Sequence, residues 1–432
     1  MKFIRTTSII LLASSLAAAA QAADLIDIYR AAQTQDAVFA SARAANLAGQ
    51  EKLTQGRALL MPSVNLSANT TYNDINAPYG SSSYNSHGYG VNVVQPLFRE
   101  QNWAAYNQSE LQVAITEAQF KGAQQDLILR SAQVYFDVLI AQDTVQLNAA
   151  QKAAIAQQLE QAKRNFEVGT ATITDTYEAQ ARYDLILAQE LAAANDLELK
   201  RRDLQRLINA DVSNLNVLGT GFNPVAADPA DVQKWVDDAQ RSNVQVISAE
   251  AAYKLAEEEV ARTRGGHLPT VDLVGNYAKN TGCSFTFCGD TRSTSVAVQL
   301  NMPLFQGGAT QSKWREADAN REKAKQDLEN ARRNVAWQTR QAYLGVASGI
   351  AQVQALQQAL KSSESLLEAS KLGQEVGVRT SLDVLNAQQQ LFSTRRDLYQ
   401  AQYNYLVSHL RLKAAAGNLL EADLERVNQA LH

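Results

Sequence analysis

The sequence Pro62-Ser63-Val64-Asn65-Leu66 returns as Pro269-Thr270-Val271-Asp272-Leu273, an offset of 207 residues from position 62 to position 269. A second stretch, Gln95-Pro96-Leu97-Phe98, returns as Met302-Pro303-Leu304-Phe305 at the same offset. A period this long excludes a solenoid of small repeats, whose unit is only a few tens of residues. The chain therefore contains one duplicated structural unit, and each copy is a substantial assembly of secondary structure.

The first copy begins with a helical pattern and then changes its period. Residues 24–60 are rich in Ala and Gln and contain no proline, which predicts one helix that stops before Pro62. Apolar and polar residues then alternate over 64–73, which predicts a strand with one apolar and one polar face. The turn-forming residues of 76–86 predict a loop, and the alternation over 89–96 predicts a second strand.

A long segment without proline follows the strands. Residues 100–168 consist mostly of Ala, Gln, Leu and charged residues, and at 1.5 Å per residue they predict a helix of roughly 100 Å. The next residues predict a turn, in which Gly169 provides the helix C-cap and Thr174 or Asp175 caps the following helix. That second helix is expected to end near Asn209.

The second copy repeats this plan after one inserted residue, which changes the offset to 208 and relates Asp175 to Asp383. Its predicted elements are a helix over 231–264, strands near 270–278 and 293–302, a long helix to about 375, a turn over 376–383 and a last helix to about 417. The predicted domains are a signal peptide over 1–22, a first repeat over 23–222 and a second repeat with a C-terminal equatorial segment over 223–432.

The first 22 residues have the three parts of a secretory signal peptide. A basic start precedes an apolar run from Ile9 to Leu16 and the small-residue site Ala20-Gln21-Ala22. No later segment approaches the ~18 apolar residues of a membrane helix, so we expect an exported chain without one. The formal net charge is −4 and Lys and Arg do not cluster with aromatic residues, so nucleic acid is not an expected partner.

Catalysis has little support in the sequence. The histidines at 87, 267, 409 and 432 are scattered, and none has metal-ligand spacing. The sequence contains neither a nucleophile elbow nor a phosphate-binding loop. We therefore expect no enzyme activity, no cofactor and no metal site.

The two cysteines lie close together, at Cys283 and Cys288, in a segment that also contains Gly282 and Gly289. In an exported chain, a close pair in a glycine-bearing loop predicts a local disulfide in preference to a metal or redox site.

The four predicted strands have an apolar face that no helix of the same hairpin covers. Periodicity alone favours an ordinary half-buried hairpin, but alternating segments near ten residues long in an exported chain are typical of an outer-membrane barrel. Four strands leave unpaired edges, which lipid does not tolerate, so several chains must contribute. Two chains give a barrel filled by its own side chains, whereas three give twelve strands and room for an aqueous lumen.

Four aromatic residues lie where strand passes to helix: Phe98, Trp103, Phe305 and Trp314. This is the position of an interfacial aromatic belt, although simple packing at the junction explains each residue equally well.

The chain resembles the TolC family of outer-membrane efflux and type I secretion channels over nearly all of its mature length. The resemblance rests on the duplication, both Pro-Leu-Phe junctions, the turn from Val168-Gly169 to Asp175 and the stretch Val376-Gly377-Val378-Arg379-Thr380-Ser381-Leu382-Asp383-Val384-Leu385. The closing stretch from Ala401 to Gly417 is also similar to the family archetype.

The resemblance implies a mainly α fold with a membrane β-barrel. A homotrimer would form a 12-stranded barrel in outer-membrane lipid and a 12-helix α-barrel that extends into the periplasm. The implied function is the passive exit duct of an efflux pump or type I secretion system. Its implied partners are a periplasmic adaptor (membrane fusion protein) and an inner-membrane transporter of ABC or RND type.

The resemblance also implies roles for particular residues. The tips that meet the adaptor would be Val168, Gly169, Thr170, Val376, Gly377 and Val378. The constriction would be lined by Asp383, with Asn386 where the archetype has a second aspartate. The links that keep the inner helices closed would involve Arg379, Thr174 and Asp175, with Gln374 where the archetype has a tyrosine. One ring of carboxylates instead of two implies weaker cation attraction and easier opening.

Simpler interpretations stay open at these positions. Asp383 fits a first-turn acidic residue that the helix dipole favours, and Arg379 fits a solvated loop charge. At the level of function, the main alternative is a periplasmic coiled-coil scaffold or adaptor without a pore, in which the four strands would have no role. A general diffusion porin would need more strands and less helix.

Overall fold

A computed structural model of the chain describes residues 23–431 except 79, 213, 220, 285 and 286, with the backbone alone at 283, 284 and 287. The predicted signal peptide, 1–22, lies outside the described residues. The helices are α1 (Leu25–Gln35), α2 (Ala37–Ala58), α3 (Glu100–Glu167), α4 (Ile173–Ile208), α5 (Val232–Ser242), α6 (Val244–Arg264), α7 (Ala309–Glu375), α8 (Ser381–Ala415) and α9 (Glu421–Asn428). The strands are β1 (Ser63–Ala77), β2 (Gly80–Phe98), β3 (Thr270–Ser284) and β4 (Phe287–Asn301).

The two halves repeat one order of elements. Two helices, a β-hairpin, a long helix and a shorter helix occur first as α1 to α4 and then as α5 to α8. The long helices α3 and α7 contain 68 and 67 residues, which is a length of roughly 100 Å for each. The prediction of two such helices is confirmed. Helix α9, at the end of the chain, was not predicted.

The first helix of each half is broken, so the prediction of one continuous helix there is wrong. The chain is extended at Asp36, with φ −69° and ψ 117°, and at Asn243, with φ −69° and ψ 132°. Asp36 accepts a hydrogen bond from the backbone N–H of Phe39 at 2.9 Å, and Asn243 accepts one from Gln245 at 2.8 Å. Each side chain thus caps the helix that follows it, which offsets the cost of the break.

The sheet is a single antiparallel layer in the order β1-β2-β3-β4. The hairpin β1–β2 is paired from Ser63 opposite Val94 to Ala77 opposite Gly80. The prediction of a loop over 76–86 is therefore wrong, and the strands are longer than expected. Polar side chains that favour turns in isolation bond across these strands instead, as Ser83 does to Asp74 at 3.0 Å.

The main apolar core lies midway along α3, where α1, α8 and α9 meet it. Tyr135 and Phe136 on α3 are fully buried, and the ring of Phe136 stacks on Tyr403 of α8 at 5.5 Å between centroids. The Tyr403 hydroxyl donates a hydrogen bond to Asp143 Oδ2 at 2.9 Å, and burial raises the pKa of that carboxyl. This core joins the two halves below the sheet.

The long helices are covered along their length by the shorter ones. Helix α2 packs near the strand end of α3, where Gly56 lies against Ser109, and α4 packs along the remainder, where Lys152 pairs with Glu190 at 2.5 Å. Helices α6 and α8 flank α7 in the same way. Within the described part of the chain, no helix has an apolar stretch long enough to cross a bilayer.

Candidate functional site

In the part of the sheet nearest the helices, one face is largely apolar. The register places Leu66 opposite Val91, Val91 opposite Tyr277, and Val64 in the neighbouring row opposite Val93. The side chains at both edges are largely exposed: Leu66 is 75% exposed and Val296, on β4, is also 75% exposed. An exposed apolar surface of this extent on both edge strands indicates contact with lipid or with another chain.

The opposite face of the sheet is polar. Asn65, Asn92, Asn276 and Ser295 form one row across the four strands, and the Asn92 amide donates to Asn276 Oδ1 at 3.1 Å. This division between an apolar and a polar face agrees with the strand faces predicted from the alternation of residues. It is the division that a barrel wall needs between lipid and water.

A bidentate ion pair closes the base of the sheet. Arg99, between β2 and α3, donates from Nε to Asp272 Oδ1 at 2.8 Å and from Nη2 to Oδ2 at 2.6 Å. Asp272 on β3 is buried, so this pair ties the start of the long helix to the neighbouring β-hairpin. Close by, Phe98, Trp103 and Phe305 are exposed; their assignment to an aromatic belt stays a prediction.

The far end of each helical hairpin is a glycine turn. After α3, the N–H of Gly169 bonds to the carbonyl of Phe166 at 3.0 Å and that of Thr170 bonds to Asn165 at 2.8 Å. Gly169 has φ 79°, the left-handed conformation that this C-cap requires. After α7, the same two bonds are made by Gly377 and Val378, and Gly377 also has φ 79°.

Each turn leads directly into a capped helix; Asp175 supplies a capping oxygen as predicted, although it is not the N-cap residue. The N-cap of α4 is Thr172, not Thr174 or Asp175. Asp175 occupies the third helical position and accepts from the backbone N–H of Thr172 at 2.9 Å, which completes a capping box.

Asp383 holds the same position at the start of α8. Its Oδ2 accepts from the backbone N–H and from the hydroxyl of Thr380, both at 2.9 Å. These hydrogen bonds, with a smaller contribution from the nearby Arg379 guanidinium, lower the pKa of the Asp383 carboxyl. Asp383 is therefore ionised at neutral pH and also serves as a helix cap.

The apolar tips and the predicted gating residues surround these caps. Val168, Val376 and Val378 are 73%, 66% and 80% exposed. Arg379 Nη1 lies 3.7 Å from Asp383 Oδ1. Within the described residues of one chain, no hydrogen bond or ion pair joins Arg379 to Thr174 or Asp175, and the Gln374 side chain makes no such contact either. Their roles as gating links therefore stay predictions.

The structure adds a residue that the sequence analysis missed. Arg182 on α4 donates from Nη2 to Asn386 Oδ1 at 2.8 Å and from Nη1 to Gln389 Oε1 at 3.1 Å, both on α8. Nothing in the periodicity distinguishes Arg182 from the other charged residues of α4. Its partners are distant in sequence, and only the packing of the two hairpins brings them together.

The cysteines lie at the outer end of β3 and β4. The register places the backbone of Cys283 opposite Cys288, and Cys288 is disulfide-bonded. The Cys283 side chain lies outside the described residues, so the pairing of these two side chains stays a prediction. The segment is not the loop that was expected, because both cysteines belong to paired strands.

Comparisons with known proteins agree with this architecture. The family model described as outer membrane efflux protein matches residues 28–210 and again 235–418, once for each half of the chain. The outer membrane protein TolC of Vibrio cholerae is 34% identical over 422 residues, which cover 96% of each chain. The alkaline protease secretion protein AprF of Pseudomonas aeruginosa is 33% identical and covers 93% of this chain and 86% of its own length.

Among solved structures, the outer membrane protein VceC of Vibrio cholerae superposes with a TM-score of 0.79 at 17% identity, over 91% of this chain and 96% of its own. At this identity the likeness shows the fold alone. The double match to the family model, together with relatives more than 30% identical over almost the whole chain, shows that this chain belongs to the outer membrane efflux protein family.

Proposed function

We propose that three copies of this chain assemble into a continuous duct through the outer membrane and across the periplasm. As a member of its family the chain is an outer-membrane protein, and an exit duct for efflux and type I secretion is the function that its relatives support. Each copy would contribute four strands to a 12-stranded barrel. Its hairpins α3–α4 and α7–α8 would contribute to a 12-helix tunnel.

The observation that carries this proposal is the exposed sheet. In a single chain, β1 and β4 are the outer strands of the four-stranded sheet, so each has an edge without a partner among the described strands. Their apolar side chains are also exposed. Unpaired strand edges are not stable in lipid, and pairing β4 of one copy with β1 of the next removes all of them. Twelve strands leave room for an aqueous lumen lined by the Asn row of the polar face.

The tips are the proposed docking surface for a periplasmic adaptor. Val168, Val376 and Val378 expose apolar side chains at the end of rigid glycine turns, far from the sheet. The repeat places two similar tips on each chain, so an adaptor would meet six related sites on a trimer. An inner-membrane transporter would supply the energy, and the chain itself would act as a passive conduit.

The proposed constriction lies just above these tips. Three copies would place three Asp383 carboxylates around the lumen, with Asn386 one turn further along α8. A ring of ionised carboxylates in a narrow lumen attracts cations and slows their passage. We propose that Arg379, Thr174, Asp175 and Gln374 contribute links between neighbouring hairpins that adaptor binding loosens.

The number of copies is the first property to measure. Native mass spectrometry of the protein extracted in detergent from the outer-membrane fraction should give three times the mass of the mature chain. A monomer or a dimer would contradict the proposal, because neither leaves an aqueous lumen. Recovery of the folded protein only from the soluble periplasmic fraction would favour the alternative, a coiled-coil scaffold without a pore.

A further inference from the structure

A fork of hydrogen bonds joins the two helical hairpins of one chain, α3–α4 and α7–α8, near their tips. Arg182 reaches from α4 to two amide oxygens of α8, at Asn386 (2.8 Å) and Gln389 (3.1 Å). The two acceptors lie three residues apart and therefore share one face of α8. This spacing suits a planar guanidinium, whose donors point outward in a fixed fork.

Between this fork and the tips, the described hydrogen bonds and ion pairs stay within each hairpin. Thr172 bonds to Asp175 in the first hairpin and Thr380 bonds to Asp383 in the second. The apolar cluster in this region, formed by Leu159, Ala162 and Ala179, belongs to the first hairpin alone. Among the described hydrogen bonds and ion pairs, the Arg182 fork is the one nearest the tips that connects the hairpins.

The packing behind the fork is thin. Ile155, Ile186 and Leu385 form a small apolar cluster that joins α3, α4 and α8 at the level of the fork. Beside it lies a gap of about 30 Å³ lined in part by Gln151, Gln189 and Gln388. The fork therefore adds a polar connection to this small apolar contact between the hairpins.

The environment of Arg182 supports a specific contact. Its side chain is 23% exposed, and Glu178 on the same helix lies 3.5 Å from Nη2, which balances its charge. Asn386 is a neutral amide, so the carboxylate at this end of α8 is that of Asp383.

We propose that Arg182 is a positioning residue of the gate. Its fork to Asn386 and Gln389 holds the tip end of α8 against α4 in the resting channel, and opening breaks it. Asp383 lies three residues before Asn386, so the same fork fixes the position of the constricting carboxylate. This inference rests on the proposed function, since it assigns a resting and an open state to the duct.

Three variants separate this role from a general effect on folding. Arg182→Gln removes the fork, Asn386→Asp converts half of it into an ion pair, and Arg202→Gln is the matched control. Arg202 also lies on α4 and bonds to two side chains, but its partners Glu198 and Gln205 belong to the same helix. The readout is single-channel current in planar bilayers, with retention of the trimer checked for each variant.

R182Q should spend about tenfold more time above the lowest conductance level than the wild type, a ratio that corresponds to about 1.4 kcal/mol. N386D should spend less time there, because a guanidinium binds a carboxylate more strongly than a neutral amide, and adding R182Q should abolish that effect. R202Q should behave as the wild type. A purely structural role would not give opposite directions for R182Q and N386D.

The outcomes also separate this inference from the proposed function. If the wild type conducts and R182Q matches R202Q, the gating role of Arg182 is overturned and the pore stands. If N386D opens the channel as R182Q does, the fork does not hold the resting state. If trimers of the wild type and of every variant pass no current, the pore and the gating role fail together.

Discussion

Asp383 combines two properties that one substitution separates. Its carboxylate caps α8 through Thr380, and it is the charge that we assign to the constriction. An asparagine in its place keeps an acceptor for the Thr380 N–H but carries no charge. Changes in cation block after Asp383→Asn therefore report the charge and not the cap.

Asp383→Asn should weaken block of the channel by a divalent or trivalent cation by at least about tenfold, since three copies would lose three carboxylates at one level. The matched control is Asp203→Asn, which removes one exposed carboxylate from α4 at a position without a proposed role in the gate. Block should be unchanged in that control. Equal block in wild type and D383N would remove Asp383 from the constriction.

Block of the channel by cations should also depend on pH in a defined way. Hydrogen bonds from Thr380 lower the pKa of Asp383 in the folded protein, so the carboxylate stays charged into mildly acidic solution. Block should therefore be constant as the pH falls from about 7 to about 5 and should be lost only below the ordinary range of an aspartate pKa. The stability that Asp383 contributes as a helix cap depends on pH in the same direction. It is present above that range and is lost as the pH falls through the lowered pKa.

Residues differ in how far the sequence alone predicts their role. The glycines at 169 and 377 were identified as turn residues from their place after a proline-free helix, and both have the positive φ that this requires. Arg182 was not identified, because its partners on α8 are about two hundred positions away and no local pattern records them. Side-chain contacts between hairpins depend on helix rotation, which periodicity fixes only approximately.

The two halves share the same kind of helix break, in which a capping residue follows α1 and α5. Asp36 and Asn243 stand 207 positions apart, the offset of the duplication, and both cap the helix that follows. Asp36 Oδ2 also accepts a hydrogen bond from Nη2 of Arg130, on α3, at 2.8 Å. This contact is the main cause of the lowered pKa of Asp36. The break lets α1 turn into the central core while α2 follows α3.

Asp36→Ala should destabilise the protein by about 2 to 4 kcal/mol, because α2 loses its cap and Arg130 loses a buried partner. Asp36→Asn should cost less, since the amide still caps α2. The measurement is denaturant unfolding in detergent followed by far-ultraviolet circular dichroism. Asp203→Ala, which removes an exposed partner of Arg206, should change the stability by less than about 0.5 kcal/mol. A similar loss in both alanine variants would contradict the role of the capped break.

The elements also show where sequence patterns are sufficient. The long helices were predicted closely because nothing in 68 residues interrupts them, and the alternation of the strands gave the correct faces. The ends of the strands were missed because Asn, Ser and Gly favour turns locally, and only pairing with a neighbouring strand overrides that preference. The breaks at Asp36 and Asn243 were detectable in principle, as two residues with capping side chains at equivalent positions of the repeat.

At the scale of the whole molecule, the orientation of the sheet can be tested with two adjacent residues. Leu66→Arg would place a charge on the lipid side of β1, at a cost of up to about 2 to 4 kcal/mol per copy, which is the value at the bilayer midplane. Ser67→Arg places the same side chain on the polar face. The amount of assembled protein in the outer-membrane fraction should fall sharply for L66R and little for S67R. An equal loss in both variants would contradict the assignment of the faces.

Three copies of this chain are proposed to enclose one constricted aqueous pore. The decisive experiment is single-channel recording of the purified wild-type trimer in planar bilayers, with a multivalent cation added on the tip side. We expect a small conductance that the cation blocks, and a larger one when Arg182→Gln loosens the hairpins. Folded trimers that pass no current in either form would show that they do not enclose such a pore.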